Sequence, residues 1–179
     1  MDGNRKMTGN TKLEIARTCL KLLESMPADK ITVRSITSAC HVSRQTFYYH
    51  FQDIYEVFEF ILEYRFREVE KKCISMDHPR DAVRCMLQTG LENRVMVNQI
   101  NSMQNGQRVW LATVTAIARM LRNIIEAKQP DLLEKQGEDA DLIFEFFAGG
   151  IYGYMSRKLA TGEYDVDRLT GQLCRIMFE

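Results

Sequence analysis

Apolar residues recur every three or four positions along most of this 179-residue chain, and this spacing predicts α-helices. No segment alternates apolar and polar residues for long enough to predict a β-strand. The three prolines, Pro27, Pro79 and Pro130, stand where helices are expected to begin or end. The pattern therefore predicts an all-α fold of about nine helices.

Polar residues that cap helices divide the chain further. Thr11 and Glu14 form a capping-box pattern, which predicts that the first helix begins at Thr11, after a flexible tail of residues 1–10. Thr32, Ser43 and Asp53 are expected to cap the next three helices, the last reaching roughly Cys73. Further helices are predicted near 80–92, 93–104, 107–127, 139–160 and 165–178, with a loop marked by Gln129, Pro130, Asp131 and Gly137 and a left-handed cap at Gly162. This organisation predicts a three-helix head, residues 11–53, and a helical body, residues 54–179.

The second and third predicted helices are short and about four residues apart. Neither is stable alone, so both must pack against the first helix. The apolar residues expected to do so are Ile36, Ala39, Val42, Phe47 and Phe51. Two short helices at this spacing predict a helix-turn-helix motif over about residues 32–51.

Polar side chains left exposed on the third helix suit contact with DNA. Arg44 can bind guanine through two hydrogen bonds, and Gln45 can do the same with adenine. Tyr48 and His50, late in the helix, are expected to contact the DNA backbone beside the major groove. The alternative is a three-helix packing unit with solvated polar residues, but three successive Tyr and His residues beside Arg44 and Gln45 favour DNA. The predicted DNA-binding residues are Thr32, Arg34, Ser43, Arg44, Gln45, Thr46, Tyr48, Tyr49 and His50.

Charge is distributed unevenly although the net charge is zero, with 24 basic and 24 acidic residues. Residues 1–51 hold eight Lys or Arg and four Asp or Glu, so the rest of the chain holds 16 basic and 20 acidic residues. A basic head on an acidic body is expected to attract a polyanion at one end only.

The sequence gives no support for an enzyme, a metal-binding protein, a membrane protein or a secreted protein. The five cysteines are scattered without a Cys-x-x-Cys pair, the three histidines are far apart, and no metal-ligand spacing or Gly-x-Ser-x-Gly motif occurs. No run of 18 apolar residues predicts a membrane span, and the N-terminus lacks the apolar run of a secretory signal. We therefore expect a cytoplasmic protein that is not an enzyme, has no cofactor or metal and does not bind membranes.

The pattern formed by Val42, Ser43, Thr46, Tyr48 and His50-Phe51 resembles the DNA-binding signature of TetR-type transcriptional regulators. The resemblance implies a homodimer that binds an inverted-repeat operator in double-stranded DNA and senses a small effector in its body. The stretch Gln45–Tyr55 is similar to the branch of this family that contains the dihydroxyacetone-kinase operon activator.

The chain departs from the family pattern at two positions. His41 stands where glycine is usual, so the turn must accommodate a side chain in a left-handed backbone. Ile54 stands where many members have a lysine that binds a DNA phosphate, which implies weaker DNA binding or help from a partner. A regulator-like adaptor that acts through a partner protein is therefore the alternative function.

The apolar faces of the body suggest either a filled core or a site for a small, mostly apolar effector. The candidate effector-binding residues are Tyr64, Met86, Trp110 and Phe147. A body without a pocket would indicate that a partner protein is sensed instead.

Glycines in the stretch Phe144–Tyr154 predict close approach of another helix. No Lys-Ser/Thr follows Gly153, which excludes a phosphate-binding loop. A four-helix dimer interface is favoured over packing within the chain, because two heads are needed to read two half-sites. The predicted interface residues are Gly149, Gly153, Tyr154, Leu173, Ile176 and Met177.

Overall fold

The computed structural model describes residues 2–103, 106–131, 133 and 139–178. Within these residues all regular secondary structure is helical, which confirms the all-α prediction. The α-helices of the described chain are α1 (Asp2–Ser25), α2 (Val33–Ala39), α3 (Arg44–His50), α4 (Ile54–Ile74), α5 (Pro79–Glu92), α6 (Arg94–Asn101), α7 (Gly106–Lys128), α8 (Ala140–Thr161) and α9 (Val166–Phe178). A short 3₁₀-helix, Ala28–Lys30, follows Pro27.

Side-chain caps begin the three helices that the sequence predicted to have them. Thr32 accepts a hydrogen bond from the Ser35 amide, in a reciprocal capping box with the Ser35 hydroxyl. Asp53 accepts one from the Glu56 amide at 2.8 Å, and Ser43 caps α3 in the same way. These contacts satisfy amides that have no partner within the helix.

Two predicted boundaries were wrong. Helix α1 begins at Asp2 rather than at Thr11, and residues 2–10, the predicted tail, form its first turns. No proline interrupts this segment, so the local capping signal at Thr11 does not stop the helix. In the predicted loop, Pro130, Asp131 and Leu133 are helical, whereas Gly137 lies outside the described residues.

Two clusters of buried apolar side chains form the core. The head cluster is built by α1 to α3 together with the first half of α4 and residues of α7. Its fully buried members include Ile15, Ile36, Phe47, Phe51, Phe58 and Val109. The body cluster lies between α5, α7 and α8 and extends to Cys73 near the end of α4. Helix α4 thus contributes to both clusters and joins head to body.

One of the residues predicted to lie in the head core does not lie there. Ala39 is exposed, and Thr37 and Cys40 are buried instead. Positions 39 and 40 both follow Ile36 at helical spacing, so only the packing of α2 against its neighbours selects between them.

The cysteines behave as core residues. All five are free, and four of them are buried. Burial raises the pKa of the Cys19 thiol to about 12, so it stays protonated and unreactive at neutral pH. In the described part of the chain, no group of three or more His, Cys, Asp or Glu residues is placed to hold a metal ion. None of the helices described there has the length and apolar character that crossing a membrane requires.

Candidate nucleic-acid interface

Helix α3 is fixed in the head by two aromatic side chains. Phe47 is fully buried and Phe51 nearly so. Their ring centroids lie 5.9 Å apart, and the Phe51 ring meets Phe60 of α4 edge-on at 5.7 Å. Because this side of α3 is held by the core, its polar side faces outward.

The outward side of α3, which we call the α3 surface, comprises Ser43, Arg44, Gln45, Thr46, Tyr48, Tyr49 and His50. Tyr48 is 53% exposed and Tyr49 is 75% exposed, unusually high values for large aromatic side chains. The other members are exposed or half-buried, and Thr32 and Arg34 are exposed at the start of α2. The structure thus leaves all nine predicted DNA-binding residues accessible.

Three of the predicted hydroxyl contacts also hold helix ends. The Ser43 oxygen accepts the Thr46 amide at 2.9 Å, and the two hydroxyls are 2.8 Å apart. Thr32 is engaged in the capping box of α2. These side chains therefore fix the start of each helix, and their contact with DNA remains a prediction.

The turn between α2 and α3 has the left-handed backbone that we expected from the family pattern, in which glycine usually stands at the position of His41. His41 has a φ of 55°, the only positive φ among the described residues other than glycine. The Val42 amide donates to the Thr37 carbonyl at 3.1 Å, the bond of a Schellman motif. The residue before Val42 in this motif is usually glycine, because a Cβ atom is strained there.

Replacing His41 with glycine is expected to raise the free energy of unfolding by about 0.5–1 kcal/mol. The left-handed backbone costs a non-glycine residue roughly 1–2 kcal/mol, of which the flexibility of unfolded glycine cancels part. Urea unfolding of H41G and H41A measures the effect, since alanine retains the Cβ atom. Equal stability of the two variants would show that the turn is not strained at this position.

The structure places Lys12 next to the α3 surface, a neighbour that the sequence analysis did not predict. The Lys12 ammonium of α1 lies 4.9 Å from the centre of the Phe51 ring and 4.8 Å from that of Phe60. Partial burial, and then the Lys12 charge, hold the pKa of His50 below its ordinary value. Lys12 therefore stands beside the C-terminal end of α3. No sequence signal indicates this, because Lys12 and α3 meet only in the folded head.

The Gln99 side chain joins α6 of the body to the head by hydrogen bonds. The Gln99 amide donates to the Leu23 carbonyl at 2.7 Å and accepts the Ala28 amide at 2.6 Å. Both backbone groups border the break at Pro27, where α1 has ended and the 3₁₀-helix begins. Gln99 thus bridges the two groups that this break leaves without helical partners.

The body contains an apolar cavity of about 80 Å³. Four methionines, Met86, Met96, Met120 and Met155, contribute to its wall. Hydroxyls in the wall are already engaged: Thr89 donates to the Cys85 carbonyl, Thr113 to the Val109 carbonyl and Tyr152 to the Asn101 side chain. The cavity therefore suits a small apolar group better than a polar one.

Only one of the four candidate effector-binding residues lies in this wall. Met86 does, but Tyr64 and Trp110 are each 43% exposed and Phe147 packs against the body core, all three outside the cavity wall. The sequence pattern marks all of these side chains as apolar helix positions. Which of them face a void depends on how α4, α5, α7 and α8 pack.

The predicted dimer residues divide between surface and core. Gly153, Tyr154 and Ile176 are exposed, Leu173 is buried in the body cluster, and Met177 packs partly against it. A Cβ atom added at Gly149 or Gly153 would meet nothing within 4 Å, so within the described residues no other helix approaches these glycines closely. Leu142 and Phe146 on α8 are 67% and 77% exposed.

Comparison with known proteins identifies the type of DNA-binding domain that the head contains. Residues 15–61 match the family model described as "Bacterial regulatory proteins, tetR family". This match covers α2, α3 and the adjoining parts of α1 and α4, the elements that form the α3 surface. Residues 15–61 therefore form a TetR-type DNA-binding domain, which makes up most of the head.

A solved structure with a similar fold is titled "Dihydroxyacetone kinase operon activator DhaS". It has a TM-score of 0.65 and 20% sequence identity, and the alignment covers 93% of each chain. At this identity the likeness concerns the fold, including the body that the family model does not reach. No curated protein sequence matches the chain.

Proposed function

We propose that this regulator binds an inverted-repeat operator as a homodimer, one α3 surface in each half-site, and that a small apolar effector in the body cavity controls binding. The observation that carries the proposal is the α3 surface itself. Its aromatic and polar side chains are exposed on a helix that a buried aromatic pair holds in place. A helix presented in this way fits the DNA major groove.

The exposed apolar side of α8 supports the homodimer. Leu142, Phe146 and Tyr154 lie on this helix, together with glycines that leave room for a close neighbour, and Ile176 is exposed on α9. A second copy of the same chain covers such a self-complementary face by twofold symmetry. The dimer would place two heads on half-sites about 34–36 Å apart.

The position of α6 supports control by an effector. Met96 and Val97 of α6 line the cavity, and Gln99 of the same helix is bonded to the head. An effector that enlarges the cavity would displace α6 and, through Gln99, the segment between α1 and α2. Methionine side chains adapt their shape readily, which suits a cavity that must expand.

Selection of binding sites from a random duplex library tests the proposed function. The expected result is an inverted repeat, and R44A should then lose about 1–3 kcal/mol of binding free energy on that site. The difference in binding free energy between the wild type and R44A should be smaller on a duplex in which the base pair contacted by Arg44 is changed. R67A, which removes an exposed arginine of α4 in the body, is the matched control. An equal loss by R44A on every duplex would contradict base reading, and no binding by the wild type would contradict the function.

An adaptor that acts through a partner protein is the second candidate. Ile54 packs partly against the head core, so position 54 offers no charge to DNA. Failure of the wild type to select any duplex, with the fold intact, is the outcome that would favour this function.

A further inference from the structure

We propose that Lys12 and His50 together hold one DNA phosphate at the C-terminal end of α3. This inference rests on the proposed function, since it concerns a further contact of the same DNA. The residues come from two helices, Lys12 from α1 and His50 from α3. Neither half of the site is complete without the other.

The surroundings of Lys12 leave its charge available. Its ammonium stacks on two aromatic rings, which orient the group without neutralising it. In the described part of the chain, Lys12 takes part in no ion pair. The cation is thus held in position, and no anionic side chain of the described residues pairs with it.

Three acidic residues in the groove beside Lys12 have other partners. Glu56, Glu59 and Glu63 of α4 line the same surface groove as Lys12. Glu56 accepts the Gln52 amide, Glu59 binds Arg108, and Glu63 binds Arg67 and Arg119. Arginines thus neutralise Glu59 and Glu63, whereas Glu56 keeps its charge but forms no ion pair with Lys12 in the described part of the chain.

The position of His50 completes the geometry. His50 is the last residue of α3, directly before Phe51, over whose ring the Lys12 ammonium lies. Burial is the main cause of the lowered pKa of His50 and the Lys12 charge is the second, as expected when an ammonium lies near an imidazole. A lysine ammonium and a neutral imidazole N–H brought together beside a DNA-facing helix can both donate hydrogen bonds to one phosphate, and the bond from the lysine is charge-assisted.

The salt dependence of DNA binding tests this contact without knowledge of the operator, because phosphate contacts are independent of sequence. The probe is a random-sequence duplex of about 30 base pairs, long enough for two half-sites roughly 10 base pairs apart. Lys12→Met retains the apolar stem over the rings and removes the charge. Because each protomer of the proposed dimer loses one phosphate contact, the slope of log Kobs against log salt concentration should become shallower by about 0.9 per protomer, or about 1.8 for the dimer.

Lys21→Met is the matched control, since Lys21 lies on the opposite face of α1 and about 14 Å further along it. Its slope should equal that of the wild type, and Lys12→Arg should retain the wild-type slope. Lys12→Gln gives a second neutral variant, and circular dichroism checks that each variant is folded.

Three outcomes overturn the inference. A wild-type slope in folded K12M and K12Q, or an equal decrease in K21M, would show that Lys12 does not bind a phosphate. Absence of duplex binding by the wild type would overturn the proposed function together with this inference, whereas binding with an unchanged slope in K12M overturns the inference alone.

Discussion

Replacing Gln99 with leucine is expected to lower the free energy of unfolding by about 2–4 kcal/mol. Leucine has a similar size but leaves the Leu23 carbonyl and the Ala28 amide without their partner. Each partly buried group left unsatisfied costs roughly 1–3 kcal/mol. Urea unfolding measures the loss.

Gln88 is the matched control for this change. It lies on α5, its side chain is exposed, and its amide donates a long hydrogen bond of 3.3 Å to Glu92. Gln88→Leu should alter stability by less than about 0.5 kcal/mol. If Q99L were as stable as Q88L, water would satisfy both backbone groups and Gln99 would not join body to head.

Replacing Gly153 with glutamate is expected to separate the proposed dimer into monomers. A Cβ atom at Gly153 has free space within the chain, and glutamate forms helices better than glycine does, so each copy should stay folded. In a dimer joined through α8, however, a carboxylate from each copy would be buried without a partner, at a cost of several kcal/mol per charge. Since each 1.4 kcal/mol is a factor of ten, the dimer Kd should rise by about a thousandfold or more.

Light scattering after gel filtration measures this separation. Thr115→Glu adds the same charge at an exposed position on the side of α7 that faces a groove with α1 and α4, and should keep the wild-type mass. G153E should bind the operator more weakly than the wild type, because two separate heads lack the high effective concentration of two joined heads. A monomeric wild type, or a G153E dimer of unchanged mass, would contradict the proposed interface.

Local sequence signals predicted the helix-turn-helix accurately. The caps at Thr32 and Ser43, the left-handed His41 and the buried Phe47 each depend on residues within a few positions of one another. Interactions of this range are encoded in the order of the residues. The same reasoning failed at Thr11, where a capping pattern lies inside a longer helix.

The sequence predicted the helices of the body but not which of their residues line the cavity. Met86 lies in the cavity wall, whereas Tyr64, Trp110 and Phe147 do not, although all four are large side chains on helices. Periodicity identifies a helix face without identifying its neighbour. The facing helices come from distant parts of the chain, so the location of the void followed only from their packing.

The sequence by itself determined the helix-turn-helix of the head, because the α3 surface and the turn before it are built from consecutive residues whose chemistry and spacing suit DNA. Tertiary structure alone decided the contacts that join distant segments: Lys12 over the rings of Phe51 and Phe60, and Gln99 between Leu23 and Ala28. The physical reason is that such contacts depend on distances through space, which are set only when the apolar faces of the helices have packed.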